Sequence, residues 1–399
     1  MNSSIALSLC MIVKDEAALL PRCLSSLQGL VDEMIVVDTG STDGTIAIAQ
    51  QFGAQVHAFP WQDDFALARN ESLQYARGEW ILVLDADEVL VPEMIPVLRQ
   101  SLTHDRTLLI NLVRQEVGAK QSPYSLVSRL FRNRPDLRFS RPYHETVDDS
   151  VLAIVQAEPG WQIADLAQVA ILHDGYQEQA IASRDKVNRA QRILEKALIK
   201  QPHDAYLCSK LGALYLESGT PQRGLKLLQR GLASAVEPPL LYELYYHLGI
   251  AWSQLKDAVQ AEVHYRLALQ QPILAILTLG ARINLGNLLL ERGATDEARK
   301  TYESVIAIDP NLAIAHYNLG LTLKALGQFP AAIAAYRETI RLQPDYAEAH
   351  QNLGVALLKT GNIPESLVAF QQAITLHEQQ HSPEADRLRQ GLAGMGFRL

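Results

Sequence analysis

The sequence predicts an α/β half built on a mostly parallel sheet, followed by an all-α half of repeated helix pairs. Three observations predict it. From residue 7 to about 173, short apolar runs alternate with amphipathic stretches of helical period, the pattern of strands joined by crossover helices. From about residue 204 a pattern of glycines and aromatics recurs every 34 to 37 residues, as it does in stacked helical arrays. Between the halves, residues 177–203 read as one amphipathic helix without a Gly/Ser-rich stretch, so a stiff connection is expected.

Strands are expected at residues 7–13, 34–38, 55–58, 80–84, 108–113, 128–131 and 169–172, where apolar residues run together. Helices are expected at 17–28, 44–52, 65–77 and 92–102. Pro92 suits a first helical turn, and Gly78 stands just past a helix end, where each is cheapest. Beyond Leu109 the pattern becomes irregular, with Gly, Pro and Arg interspersed in the manner of substrate-binding loops.

In the second half, Leu-Gly pairs place glycines at 212, 249, 286, 320 and 354. Sixteen residues after each comes Leu228, Tyr265, Tyr302, Tyr336 or Phe370, and seven residues after each comes Gly219, Lys256, Gly293, Gly327 or Gly361. Small residues let paired helices approach, and the large residue fills the gap beneath. The period and these positions resemble tetratricopeptide repeats. About five units are expected over residues 204–378, with a capping helix over 379–399. Such arrays form a superhelix with a concave groove, and they bind rather than catalyse.

Composition narrows the partners. The formal net charge is −8 and no Lys/Arg run occurs, which disfavours nucleic acid, since neutralising phosphates needs clustered basic residues. Cys10, Cys23 and Cys208 form no CxxC pair and read as reduced, mostly buried thiols. The apolar stretch at residues 5–13 lacks a basic flank and a cleavage site, and no apolar run is long enough for a transmembrane segment. A soluble, cytoplasmic protein is expected, with peripheral membrane contact left open.

Two strand ends carry chemistry. Val83-Leu84-Asp85-Ala86-Asp87 is an apolar strand running into an acid-x-acid turn, a place to hold a divalent cation at a sheet edge. Magnesium and manganese take carboxylate oxygens there and share their shell with substrate phosphates. Asp38 ends a second strand, where a carboxylate can accept hydrogen bonds from a nucleoside. Ser41, Thr42 and Asp43 follow it, and ordinary helix capping accounts for them equally well. No G-x-G-x-x-G or Walker A sequence stands near, so dinucleotide and P-loop readings fall away.

Cys10-Met11-Ile12-Val13-Lys14-Asp15-Glu16, the stretch from Val36 to Thr45, and Leu84-Asp85-Ala86-Asp87-Glu88 together resemble the family 2 glycosyltransferases. More narrowly, the chain is similar to the subgroup with C-terminal tetratricopeptide repeats. The resemblance covers about the first 175 residues. It implies a GT-A, Rossmann-like domain over residues 1–176, a UDP-sugar donor, a divalent metal (Mn2+ or Mg2+) and inversion at the anomeric carbon.

Carried over to this sequence, the resemblance puts Glu16 and Asp38 along the nucleoside, and Asp85 near ribose and metal. Asp87 and His173 become metal ligands, with Asp174 as the alternative to His173. Many family members have two acids in a row after the second strand; Thr39 occupies the second place here, which weakens the case for UDP. Trp61 to Asn70 matches another stretch of the subgroup. Arg69 and Asn70 there could reach the phosphate or sugar, Trp61 could stack on a sugar or be plain core, and Asp63 or Asp64 could merely cap the helix. Glu145 is the candidate general base, with His144 orienting it or binding metal. A surface salt bridge from Glu145 to Arg141 competes with that role, and Asp63 is the reserve base.

The expected function is transfer of a hexose or N-acetylhexosamine from a UDP-sugar to an acceptor hydroxyl or thiol. The acceptor would be a peptide or protein in the repeat groove, or else a glycan or lipid-linked molecule. His316, Tyr317, Asn318, His350 and Asn352 recur near repeat helix starts and could line that groove, or simply pack. A non-catalytic scaffold is the rival reading, and a nucleotidyltransferase lacks its basic Gly-rich loop after the first strand.

Overall fold

A computed structural model describes residues 6–119, 122–174 and 180–397, with the backbone alone given for 180–186. Gly175 and Tyr176 of the His173 segment, and residues 177–179 of the expected connecting helix, lie outside the described residues. The chain divides into two compact units, Met1–Leu240 and Leu241–Leu399.

The first unit is organised by an eight-stranded sheet. Its strands are β1 (Leu7–Val13), β2 (Glu33–Asp38), β3 (Gln55–Ala58), β4 (Trp80–Val83), β5 (Glu88–Leu90), β6 (Thr107–Glu116), β7 (Tyr124–Arg132) and β8 (Gln162–His173). They lie in the order β3-β2-β1-β4-β7-β6-β8-β5. The first four run parallel, so β1, β2 and β4 all end at one edge. β6 pairs parallel with β8, while β7 runs antiparallel to β4 and β6, and β5 antiparallel to β8, so the sheet is mostly parallel, as expected.

Both faces of the sheet are covered over β1, β2 and β4. Helices α1 (Leu20–Ser26), α2 (Thr45–Gln51), α3 (Phe65–Leu73), α4 (Ile95–Ser101) and α5 (Asp148–Ala157) supply the cover. Successive strand residues point to opposite faces. Leu9 and Met11 therefore pack with Leu20, Leu24 and Leu98, while Cys10 joins Ile81, Val83, Val151 and Ile154 on the other side. All three cysteines are buried and unpaired by disulfide.

Three differences from expectation have local causes. β5 has only three residues, too few to show a period, and it begins with a fully buried glutamate. The stretch after Leu109 holds long strands and α5, because polar residues on β6 and β7 pair across strands instead of marking loops. Helix α3 stops at Leu73, so Gly78 is not its cap. A Cβ at Gly78 would lie 2.5 Å from Ser8 Oγ and 2.7 Å from Ser8 N, which excludes any side chain.

After α5 and β8 come α6 (Ala180–Lys200) and a helix pair, α7 (Ala205–Glu217) and α8 (Pro221–Leu232). The second unit continues with paired helices and closes on Glu384–Gly394. Its packing follows the pattern read from the sequence. A Cβ at Gly249 would meet Tyr265 at 2.4 Å, and one at Gly320 would meet Tyr336 at 2.5 Å. Lys256 stands in the left-handed region at φ 65°, where Gly293, Gly327 and Gly361 stand in their own repeats. Among the described residues, no helix is long and apolar enough to cross a membrane.

Candidate active site

The loops after β1 and β2 are stitched to each other. Asp15 Oδ1 accepts the Thr42 amide at 2.7 Å, Ser41 Oγ accepts the Asp15 amide at 2.9 Å, and Asp43 Oδ2 accepts the Ala17 amide at 3.1 Å. Glu16, beside them, donates its amide to Thr45 Oγ1 at 2.8 Å. Asp38 is buried at the tip of β2. Its carboxylate accepts the Gly40 amide at 3.0 Å and the Ser41 amide at 3.1 Å. The Gly40 and Ser41 amides thus hold Asp38 at the sheet edge, while Ser41, Thr42 and Asp43 fasten this turn to the β1 loop, Asp43 also accepting the Thr45 amide at the start of α2.

Asp85 follows β4 and meets two guanidiniums. Arg69 Nη2 bonds its Oδ1, and Arg129 Nη2 bonds its Oδ2 at 2.6 Å. Burial raises the Asp85 carboxyl, but Arg129 and Arg69 more than offset this and hold it well below the usual carboxylate range. Arg69 comes from α3 with 2% of its side chain exposed, and its Nε donates to Glu145 Oε1 at 2.9 Å. Its Nη1 is buried and has no hydrogen-bond partner among the described residues.

From Asp85 the chain of charges continues across the sheet. Arg129 Nη2 lies 3.3 Å from Glu88 Oε1, and Arg114 Nη1 donates to that oxygen at 2.8 Å. Arg114 Nη2 reaches Glu116 Oε1 at 2.8 Å, and Glu116 Oε2 lies 2.5 Å from His173 Nδ1. His173 Nε2 is then 3.1 Å from Asp87 Oδ2. Hydrogen bonds that the ring donates to Asp87 and Glu116 push the imidazole up to about 10. Register builds the far end: His173 pairs with Glu88 on β5 and with Glu116 on β6, so three strands place these side chains in one row.

Acids and cations therefore alternate from Glu145 through Arg69, Asp85, Arg129, Glu88, Arg114, Glu116 and His173 to Asp87. Sequence reasoning missed Glu88, Arg114, Glu116 and Arg129 as members. The available signal was Arg114 and Glu116 two apart on one strand, hence on one face.

Glu145 apart, the remaining candidates fall outside this chain of charges. Glu145 takes Arg69 as its cation, whereas Arg141 pairs with Asp149 at 2.6 Å, so the competing Glu145–Arg141 bridge does not form. His144 is exposed at φ 54°; its ring lies edge-on to Tyr143 and its carbonyl accepts the Tyr206 hydroxyl. Asn70 spends both ends of its amide on the Phe139 backbone, at 2.9 and 2.8 Å, and is a loop fastener. Asp64 caps α3 at the Leu67 amide, and Asp63 bonds the Trp61 indole and Arg189. Asp174 pairs with Arg22.

A metal would find part of a shell. Among the described residues no three His, Cys, Asp or Glu side chains converge as a complete cation-holding group. The expected trio of Asp85, Asp87 and His173 is not assembled, because both Asp85 oxygens face guanidiniums. Asp87 Oδ2 and His173 Nε2 do adjoin, with Glu116 orienting the imidazole from behind. Carboxylate-backed histidine is the usual arrangement of a metal-binding imidazole. That pair fits a cation that draws its other ligands from a diphosphate.

The Glycosyl transferase family 2 model matches residues 8–163, and tetratricopeptide repeat models match 286–327, 322–361 and 347–383. A TPR repeat-containing protein of Synechococcus elongatus is 47% identical over 304 residues, covering 76% of this chain and 75% of that protein. An uncharacterized glycosyltransferase of Rickettsia felis is 32% identical over 204 residues, covering 48% of this chain and 69% of its own length. Among solved structures, MamA from Desulfovibrio magneticus RS-1 aligns with a TM-score of 0.40 and 25% identity, over 45% of this chain and 98% of that one.

Proposed function

Because this chain belongs to glycosyl transferase family 2 and carries tetratricopeptide repeats, we propose that it moves a hexose or N-acetylhexosamine from a UDP-sugar to an acceptor. The acceptor group is a hydroxyl or thiol. The observation that carries this reading is the alternating ion chain from Glu145 to Asp87, beside the strand ends where open α/β sheets take ligands.

In this proposal Glu16 and Asp38 line the nucleoside, and Asp85, fixed by two guanidiniums, stands at the ribose. Arg69 and Arg129 set positive charge beside the diphosphate, a task that suits the planar guanidinium fork. Asp87 and His173 would hold Mn2+ or Mg2+. When bound, that ion neutralises charge gathering on the departing nucleotide. Glu145 takes the proton from the acceptor on the side opposite the leaving group, as inversion requires. His144, its chain neighbour, lines the approach to it. The repeats hold the acceptor, a peptide or protein, since solenoid grooves suit extended chains.

The test is a panel of UDP-sugars offered to the full chain with Mn2+ or Mg2+, reading UDP release. Release with one sugar, abolished by chelator and by Asp87→Ala, is the expected result. Turnover unchanged by Asp87→Ala would remove the metal role. Absence of metal-dependent UDP affinity by calorimetry would leave only a binding scaffold.

A further inference from the structure

The segment that carries Glu145 is held from two sides. Ser140 and Thr146 close it as a small loop through mutual backbone bonds of 2.9 and 3.2 Å. Within it, Arg141 and His144 have φ of 72° and 54°, a region that L-residues avoid, and neither is glycine. Such backbone persists only where its surroundings over-determine it.

Part of that determination comes from the catalytic half. Pro142 O accepts the Phe65 amide at 3.0 Å, and Arg141 Nη1 bonds Asp149 at 2.6 Å. The rest comes from the first repeat helix, α7. The Tyr206 hydroxyl donates to His144 O at 3.0 Å, one residue from Glu145. The Arg141 guanidinium lies over the Tyr206 ring, 4.5 Å from its centroid, and its Nη2 is 3.4 Å from Asp204 Oδ2. Tyr143 packs against the cluster of Leu194, Leu207 and Leu211. Both strained residues thus touch α7 or its cap, and the next residue is the one bonded to Arg69.

We infer that Tyr206 and Asp204 are positioning residues for Glu145, so that the first repeat completes the catalytic site besides any part it plays in holding acceptor. The inference rests on the reading of Glu145 as general base. Without the Tyr206 hydroxyl and the Asp204 charge, the loop relaxes away from its left-handed conformers. Glu145 then leaves the line between acceptor and donor. Misplacement by about an ångström reduces turnover by up to ~100-fold without touching donor contacts.

The test uses the full chain with Tyr206→Phe, Asp204→Asn and the double variant. Phenylalanine keeps the ring beneath Arg141, and asparagine keeps the cap on the Leu207 amide while losing the ion pair. The expected result for the double variant is kcat lower by about tenfold or more, with donor KM within about twofold. Hydrogen exchange should rise at residues 140–146 and stay unchanged in α7. Unchanged kcat, unchanged exchange in the loop, or lost protection in α7 itself would each overturn the inference, the last by showing a merely structural role. Should the wild-type chain turn over no UDP-sugar, glycosyl transfer is refuted separately, and the exchange measurement still decides whether α7 sets the loop.

Discussion

Arg69 and Glu145 are 76 residues apart in sequence, yet Nε of one stands 2.9 Å from Oε1 of the other. The same guanidinium bonds Asp85. One buried cation therefore joins the loop of the candidate base to the acidic turn of the candidate donor site, and neither carboxylate can shift without the other sensing it.

Replacing Arg69 tests that joint. Lysine offers a point charge with no fork, so Arg69→Lys can serve Glu145 or Asp85 but not both. It should lower kcat/KM by roughly 100-fold, read in steady-state kinetics. Arg69→Ala takes the cation from Glu145 and one of the two from Asp85, and should cost about 3 kcal/mol, read as a lower urea midpoint. Full activity in Arg69→Lys would show that the two ends work independently.

Glu116 orients His173 from behind, so Glu116→Gln should weaken Mn2+ binding while leaving the ligands in place. Second-layer carboxylates of this kind are worth about 10- to 100-fold in metal affinity. Calorimetric titration of Mn2+ in the presence of UDP measures it. Equal affinity in wild type and variant would take His173 out of the shell.

Acid stability should depend on Glu33. Burial raises its carboxyl, but the Ser8 hydroxyl at 2.5 Å and the amide and guanidinium of Arg77 more than offset this and lower it below its ordinary value of 4.5. A carboxyl lowered on folding stabilises the native state above its unfolded value, and that contribution fades as pH falls through the folded one. Glu33→Gln should therefore be less stable than wild type at pH 7, with the gap closing once pH drops below about 4. Urea melts at both pH values provide the comparison. A constant gap would assign the effect to shape rather than charge.

Lys256 occupies a left-handed position that its counterparts fill with glycine. Lys256→Gly removes a steric penalty of about 1 kcal/mol and gives back part of it in unfolded-chain entropy. A rise in melting temperature of about 1–2 °C is expected. A fall would mean the lysine stem packs usefully.

Apolar continuity made the centre of the first unit legible: β1 runs over the residues expected, because a buried parallel strand writes itself as a nearly unbroken apolar run. Helix pairing in the repeats was legible too, since Gly286 and Tyr302 meet across a fixed spacing. The site was only half legible. Asp38, Asp85 and Asp87 stand at strand tips, where local pattern points. Arg114, Glu116 and Arg129 owe their place to register between β6, β7 and β8, and no local period records which residues two distant strands set side by side. Asn70 misled for a similar reason, as its partner Phe139 is 69 residues away.

Strand β5 is three residues long, yet it is what brings Asp87 alongside His173. Gaining or losing one residue within Glu88–Leu90 would reverse which way the following side chains face, and the aspartate would be carried past its imidazole. Beyond the Glu88 carboxylate, which pairs with Arg114 and Arg129, the lettering of this splint can therefore vary so long as its length is kept. Length, together with the Glu88 carboxylate, is what natural selection is expected to guard there.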